Sequence, residues 1–298
     1  MADAPRHGGR RRTMCPRRST TAATRPSTPS KGQVRASDLH RSLPPVVCRV
    51  RRNADYRPET NLTPFATIRA RAVERKGCTR TLTTLLPRVV TRAELTALPN
   101  DRILNEMTKG IFCSGFAWTV VEQKWPGFEA AFLAFDPAAL LIQPPDFWEA
   151  LTGDTRIVRH GQKVMAVAHN ARFVADVSAN HGGFGRFLAE WPANDQVGLL
   201  QVLAKQGARL GGNTGQYFQR FLGRDGFLLS RDVVLCLRDA GLDVAETPTS
   251  KRDLAKIQAQ FNAWAAETKL PYTHLSRICA MSIGENHPAE RLRHYMNE

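Results

Sequence analysis

Between Phe65 and Glu285 the chain alternates stripes of apolar residues at helical spacing with clusters of turn residues. This periodicity predicts a succession of helices. In FATIRARAVERKG (65–77), apolar or small residues recur at helical spacing and Gly77 offers a C-cap. Two helices are expected over 91–125, broken near Pro99–Asn100. Thr91 and Glu94 make a capping box for the first, and Ile103, Leu104, Met107, Ile111 and Phe112 a buried stripe for the second. Pro126, Pro137, Pro144 and Pro145 cut the next stretch into short helices. TRIVRHGQKVMAVAHNARFVADVSANHG (155–182) predicts one longer helix with Val164, Val167 and Ala171 inward. DQVGLLQVLAKQ (195–206) and GQYFQRFLG (215–223) predict two more. Ser250 and Asp253 open a helix striped by Leu254, Ile257, Phe261 and Trp264, and Pro271 initiates a last one. The single strand candidate is GFLLS, 226–230. The expectation is an all-α domain spanning 65–298.

Residues 1–64 lack this periodicity and are rich in Arg, Pro, Ser and Thr, so they cannot bury enough apolar surface to offset their ordering entropy. They are expected to be a disordered basic extension. Of the net charge of +15, this segment carries +10, from 14 Lys+Arg against 4 Asp+Glu. A transit peptide, a nucleic-acid-binding arm and an upstream extension from a mis-chosen start all fit that composition. The body is mildly basic, compatible with a polyanionic partner without demanding one. Six scattered cysteines form no CxxC pair, which argues for a reducing compartment without a disulfide framework. No apolar run is long enough to span a membrane, and no secretory signal is evident. A cytoplasmic, nucleoid-associated monomer is the default expectation, with organelle targeting by the tail an open alternative.

RLGGNTGQYFQRFLG (209–223) places Gly211, Gly212 and Gly215 just before a helix. Glycine there signals either a turn with positive φ or close approach of another molecule to the backbone. A P-loop needs a Gly-Lys-Ser/Thr ending that is missing, and a dinucleotide fingerprint needs a preceding strand where a helix is expected. A helix–hairpin–helix remains. In it the backbone of Gly211, Gly212, Asn213, Thr214 and Gly215 faces a phosphate of double-stranded DNA, aided by the helix dipole. Such contacts position DNA without reading its sequence. Lys205, Arg209, Arg220 and Arg224 could meet phosphates as a group.

Three further segments sharpen this: GFAW (115–118), FDP (135–137) and IVRHGQKVMAVAHNA (157–171), followed by the glycine hairpin at 210–215. Together they resemble the DNA-3-methyladenine glycosylase I family of the helix–hairpin–helix DNA glycosylase superfamily, over roughly residues 65–290. The resemblance implies a helical fold that clamps duplex DNA, extrudes one nucleotide and hydrolyses the bond between an alkylated base, 3-methyladenine in particular, and its sugar. Such a base is cationic and leaves readily, so an aromatic surface, a water and a group that stabilises the sugar suffice. No cofactor is implied.

Trp118 falls at the family's pocket tryptophan and is the base-stacking candidate; the alternative is a core tryptophan. Trp125 is expected to pack. Where the family carries a base-reading glutamate, position 110 is glycine. Glu106, one turn earlier, could reach the same face, the competing reading being a surface glutamate; Glu122 is another candidate. The family's zinc ligands are not matched beyond Cys236, Asp232 standing where the resemblance places a histidine, and no metal is expected. Gln216 occupies the position at which lyase-competent relatives carry a Schiff-base lysine, which implies a monofunctional enzyme. Asp232 is the candidate for activating water or stabilising the sugar cation, with a helix cap or a salt-bridged surface aspartate as the alternative. Two other classes compete: a DNA-binding module that has lost base recognition, and a helical interaction scaffold.

Overall fold

The computed structural model describes residues 62–290 and 292. The basic tail, apart from its last three residues, lies outside them. The described residues build fifteen α-helices and no strand. α1 (Phe65–Lys76) and α2 (Thr79–Thr84) lead into α3 (Arg92–Thr96) and α4 (Asn100–Cys113). Next come α5 (Trp118–Gln123), α6 (Trp125–Ala131), α7 (Pro137–Leu141) and α8 (Pro145–Gly153). α9 (Gly161–His181), α10 (Phe184–Glu190), α11 (Gln196–Gln206) and α12 (Asn213–Phe221) follow. α13 (Arg231–Asp239), α14 (Lys251–Thr268) and α15 (Tyr272–Ser282) complete the set.

Local signals set many of these boundaries. The Thr91–Glu94 capping box forms at α3 and Ser250 caps α14 through the Asp253 N–H. The α4 stripe of Ile103, Leu104, Met107, Ile111 and Phe112 is wholly buried against α9 and α12. In the FDP segment, Asp136 accepts from the Ala138 N–H and starts α7. Just before it, Leu133, Ala134 and Phe135 take φ of 52°, 53° and 59°. That left-handed turn is unfavourable for residues bearing a Cβ. Burial of Phe132 and Phe135 in a stack with Trp125, Phe128 and Trp148 opposes the strain.

Three expectations need correction. The second helix of the 91–125 stretch does not run through: Gly115, at φ +82°, turns the chain between α4 and α5. The long helix over 155–182 begins only at Gly161, because residues 155–157 form a turn and bend that buries Ile157, and His160 takes a β conformation. Residues 226–230 form neither a helix nor a strand. Their backbone groups are met by side chains instead. Gln196 bonds both the N–H and the C=O of Phe227 at 2.7 Å, Thr273 does the same for Gly226 at 3.1 Å, and the Gln216 amide oxygen accepts from Leu229 N at 2.6 Å.

The described residues share one unit with two apolar clusters. One is drawn from 95–222 and centres on α4 and α9. The other joins α1 and α2 to α13, α14 and α15, with α1 lying along α15. A cleft opens where the two meet.

Candidate active site

The glycine hairpin joins α11 to α12 and is held from beneath by α9. The Asn170 side chain, fully buried, donates to Ala208 O at 3.1 Å and accepts from Ala208 N at 2.8 Å. His169 Nε2 bonds Gln206 O at 2.8 Å. The HNA motif is thus the clamp of the hairpin. Gly212 has φ +58° and ψ −135°, a conformation all but reserved for glycine. At Gly215 a Cβ would come within 2.5 Å of Leu210 O. Gly211 is different: its φ is ordinary, and an added Cβ would meet only Ala204 Cβ at 3.7 Å. Two of the three glycines serve the turn itself. At α12 no side chain caps the first turn and no acidic residue occupies it, so its N–H groups and dipole point outward. Gly211, Gly212 and Asn213 are exposed, Thr214 is half-buried against Gly110, and Gly215 is buried.

Further along α12 the chain enters the cleft, of about 1260 Å³. Trp118, at the start of α5, is half-buried there and meets Tyr217 and Phe221 edge-on at 5.3 and 5.7 Å between ring centroids. Lys163 positions the turn that carries it. Its ammonium donates to Phe112 O and Ser114 O at 3.2 and 2.6 Å and lies 4.3 Å from the Phe116 ring centroid. Burial lowers the Lys163 pKa to about 8. Trp125 stacks on Phe128 and Phe135 in the core, as expected.

Glu106 is a half-buried cleft residue, where sequence alone favoured a surface glutamate. Burial raises its pKa, and Lys109 and Arg102 offset this only in part. Gly110 lies instead at the α4–α12 contact, its Cβ direction filled by Thr214 and the Phe218 backbone. Position 106, not 110, thus presents a carboxyl to the cleft. Glu122 pairs with Lys109 at 3.4 Å. Asp232 lines the same cleft from the first turn of α13, packed against Gly284. It is neither the cap nor ion-paired among the described residues: Ser230 caps α13 by accepting from Val233 N at 3.3 Å. Trp118, Glu106 and Asp232, 126 positions apart in sequence at the extremes, meet around one space.

Some expectations about the basic residues change. Arg224 cannot meet a phosphate: it is 5% exposed and bonds Leu188 O, the Gln219 side chain and Asp225 O. Arg220 lines the cleft rather than the hairpin. Tyr217, Phe221, Lys109 and Arg277 are cleft residues that sequence reading did not single out. For Tyr217 and Phe221 a signal existed, since they sit one turn apart in the segment after the glycines. The donors do not suit a zinc ion. Cys236 is buried with its sulfur 3.4 Å from Ser282 Oγ, Asp232 faces the cleft, and no cluster of three possible ligands occurs among the described residues.

The site is thus a glycine-turned helical hairpin beside a cleft with an aromatic wall and two carboxyls, in an all-α domain. The family model for methyladenine glycosylase matches residues 99–210, about a third of the chain. The match takes in Glu106, Trp118, Lys163 and Asn170. Among solved structures, a 3-methyladenine DNA glycosylase I aligns at 22% identity over 46% of this chain and 82% of its own, with a TM-score of 0.38. An 8-oxoguanine glycosylase/lyase of Methanocaldococcus jannaschii, bound to a 15mer DNA containing 8-oxoguanine, aligns at 14% identity over 72% and 95%, with a TM-score of 0.46. No curated protein matches the chain.

Proposed function

We propose that the protein is a monofunctional DNA glycosylase that extrudes an alkylated base, 3-methyladenine in the first instance, into the Trp118 cleft and hydrolyses its bond to the sugar. The observation that carries this reading is the convergence of Trp118, Glu106 and Asp232 on one cleft beside the hairpin. Backbone N–H groups at Gly211–Gly215 hold a phosphate of the duplex. The cationic base stacks on the indole, a contact worth roughly 0.5–2 kcal/mol, with the Glu106 carboxylate as its charge partner. The C1′–N bond breaks with its electron pair leaving on the base. Water adds to C1′ and gives its proton to Asp232, whose charge also steadies the electron-poor sugar.

The monofunctional reading is supported by the partners of Gln216 and of the cleft lysines among the described residues. Gln216 holds the position of a lyase lysine and its oxygen accepts from Leu229 N. Lys76 donates to Asn286 Oδ1 and His287 O at 2.6 and 2.8 Å, and Lys109 pairs with Glu122. No described helix is long and apolar enough to cross a membrane; a monomer acting in the cytoplasm beside DNA completes the proposal.

The test is base release from methylated duplex DNA by the full chain, beside Trp118→Ala and Asp232→Asn. The expected outcome is free 3-methyladenine and intact abasic sites, no borohydride-trapped adduct, and loss of release of about a hundredfold or more in either variant. Duplex binding without release would leave a binding module, and a trapped adduct would overturn the monofunctional assignment.

A further inference from the structure

Two arginines from distant parts of the chain stand in the cleft with no carboxylate to neutralise them. Arg220 comes from α12 and Arg277 from α15. Each guanidinium offers a planar fork of N–H donors, and on each only one donor meets an acceptor among the described residues. Arg220 Nη2 reaches Gly226 O at a long 3.4 Å, and Arg277 Nε reaches Leu85 O at 3.3 Å. Arg277 Nη2 is buried with no partner. Among the described residues neither arginine forms an ion pair. The cleft's carboxyls lie elsewhere: Glu285 pairs with His287, Asp232 packs on Gly284, and Glu106 is on α4. Asp225, which acts on Arg220 from a distance, is engaged by the N–H groups of Tyr272 and Thr273.

The two guanidiniums also act on each other. Burial, with the charge of Arg277 added to it, lowers the Arg220 pKa to about 10. Tyr217, beside them, has its phenol pKa raised by burial while both arginines pull it down. Two like charges that line one cleft and are not ion-paired among the described residues favour an anion that joins them. A guanidinium fork matches the oxygens of a phosphate in bidentate geometry.

We propose that Arg220 and Arg277 form a phosphate-binding pair that grips a backbone phosphate of the DNA strand drawn into the cleft. This rests on the reading of the cleft as a nucleotide site. The register supports it. Asn213 at the hairpin and Arg220 in the cleft lie on one helix, about 10 Å apart along its axis, so one strand can touch both. The hairpin then anchors the duplex while the arginine pair holds the strand at the extruded nucleotide, turning its phosphate toward the cleft wall and its base toward Trp118.

The experiment measures binding of the full chain to a duplex carrying a single stable abasic-site analogue, across a salt series. Arg220→Gln, Arg277→Gln and Gly212→Ala are compared with the parent. One DNA-side change accompanies them: an uncharged methylphosphonate linkage placed in turn at each phosphate flanking the analogue, which leaves the protein untouched. The expected result is a roughly ten- to hundredfold loss of affinity in either arginine variant and a salt slope shallower by about one. One methylphosphonate position should reproduce that loss in the parent protein and add nothing in Arg277→Gln. Inorganic phosphate at millimolar levels is the second probe, read by Trp118 fluorescence. Phosphate binding that is lost in both arginine variants, with no such methylphosphonate position, would assign the pair to a free phosphate and overturn the strand grip. Parent-like affinity and slope in both arginine variants, with binding lost only in Gly212→Ala, would overturn the pair while leaving the DNA reading intact. Failure of the parent chain to bind the duplex at all would remove the DNA reading and this proposal with it.

Discussion

Glu106 is the residue whose chemistry is hardest to reconcile with stability alone. An exposed glutamate on α4 would be free of penalty, yet this one is half-buried and its pKa is raised by desolvation. A carboxyl held above its unfolded pKa contributes stability at pH below the unfolded value, and that contribution is lost as pH rises through the folded pKa. At neutral pH the ionised form is therefore a burden. Glu106→Gln is expected to raise Tm at pH 7, with the gain shrinking toward about pH 4, while lowering base release. Thermal scans at the two pH values check the first part, and a Tm that falls at pH 7 would refute the burial account. Stability given up at a half-buried charge is the pattern of a site kept for chemistry. Sequence alone could offer Glu106 as a substitute for Gly110, since one helical turn separates them. It could not show that Gly110 faces α12, because that depends on how two helices pack across 104 positions.

At the scale of the element, the hairpin divides its glycines by task. Gly212→Ala forces a side chain into a conformation reserved for glycine and is expected to cost roughly 1–3 kcal/mol, read by denaturant unfolding. Gly211→Ala should change stability by less than about 0.5 kcal/mol and yet weaken duplex binding, because the added methyl stands where the proposed function brings a phosphate to the backbone. Unchanged binding in Gly211→Ala would remove the close-approach role. The 226–230 segment behaves oppositely: it has no intrinsic support. Gln196→Ala would leave the buried N–H and C=O of Phe227 unpaired, at about 2–4 kcal/mol, and hydrogen exchange at the Phe227 amide should accelerate. Its strand-like sequence was legible and misleading for one reason. Its hydrogen-bond partners, Gln196 and Thr273, lie 31 and 47 positions away and belong to helices. The α4 stripe and the Thr91–Glu94 cap were readable because their partners are three or four residues off. Arg277 was not, having no meaning until α15 lies across the cleft from α12.

At the scale of the molecule, the cleft is the seam between two cores of unequal sequence locality. The first is built from one continuous stretch, 95–222. The second needs α1 and α2 together with α13, α14 and α15, tied by contacts such as the Arg75 bond to Met281 O, 206 positions apart. Trp118 and Glu106 belong to the first, Asp232 and Arg277 to the second. A ribosome making this chain would release α1 early, and its apolar face, Phe65, Ile68 and Ala72, would have no partner while the whole first core was synthesised and folded around it. Only when α15 emerged would that face be covered. The same docking would bring the last cleft residues into place. A chain cut short between α12 and α13 would hold a finished hairpin and only half a cleft.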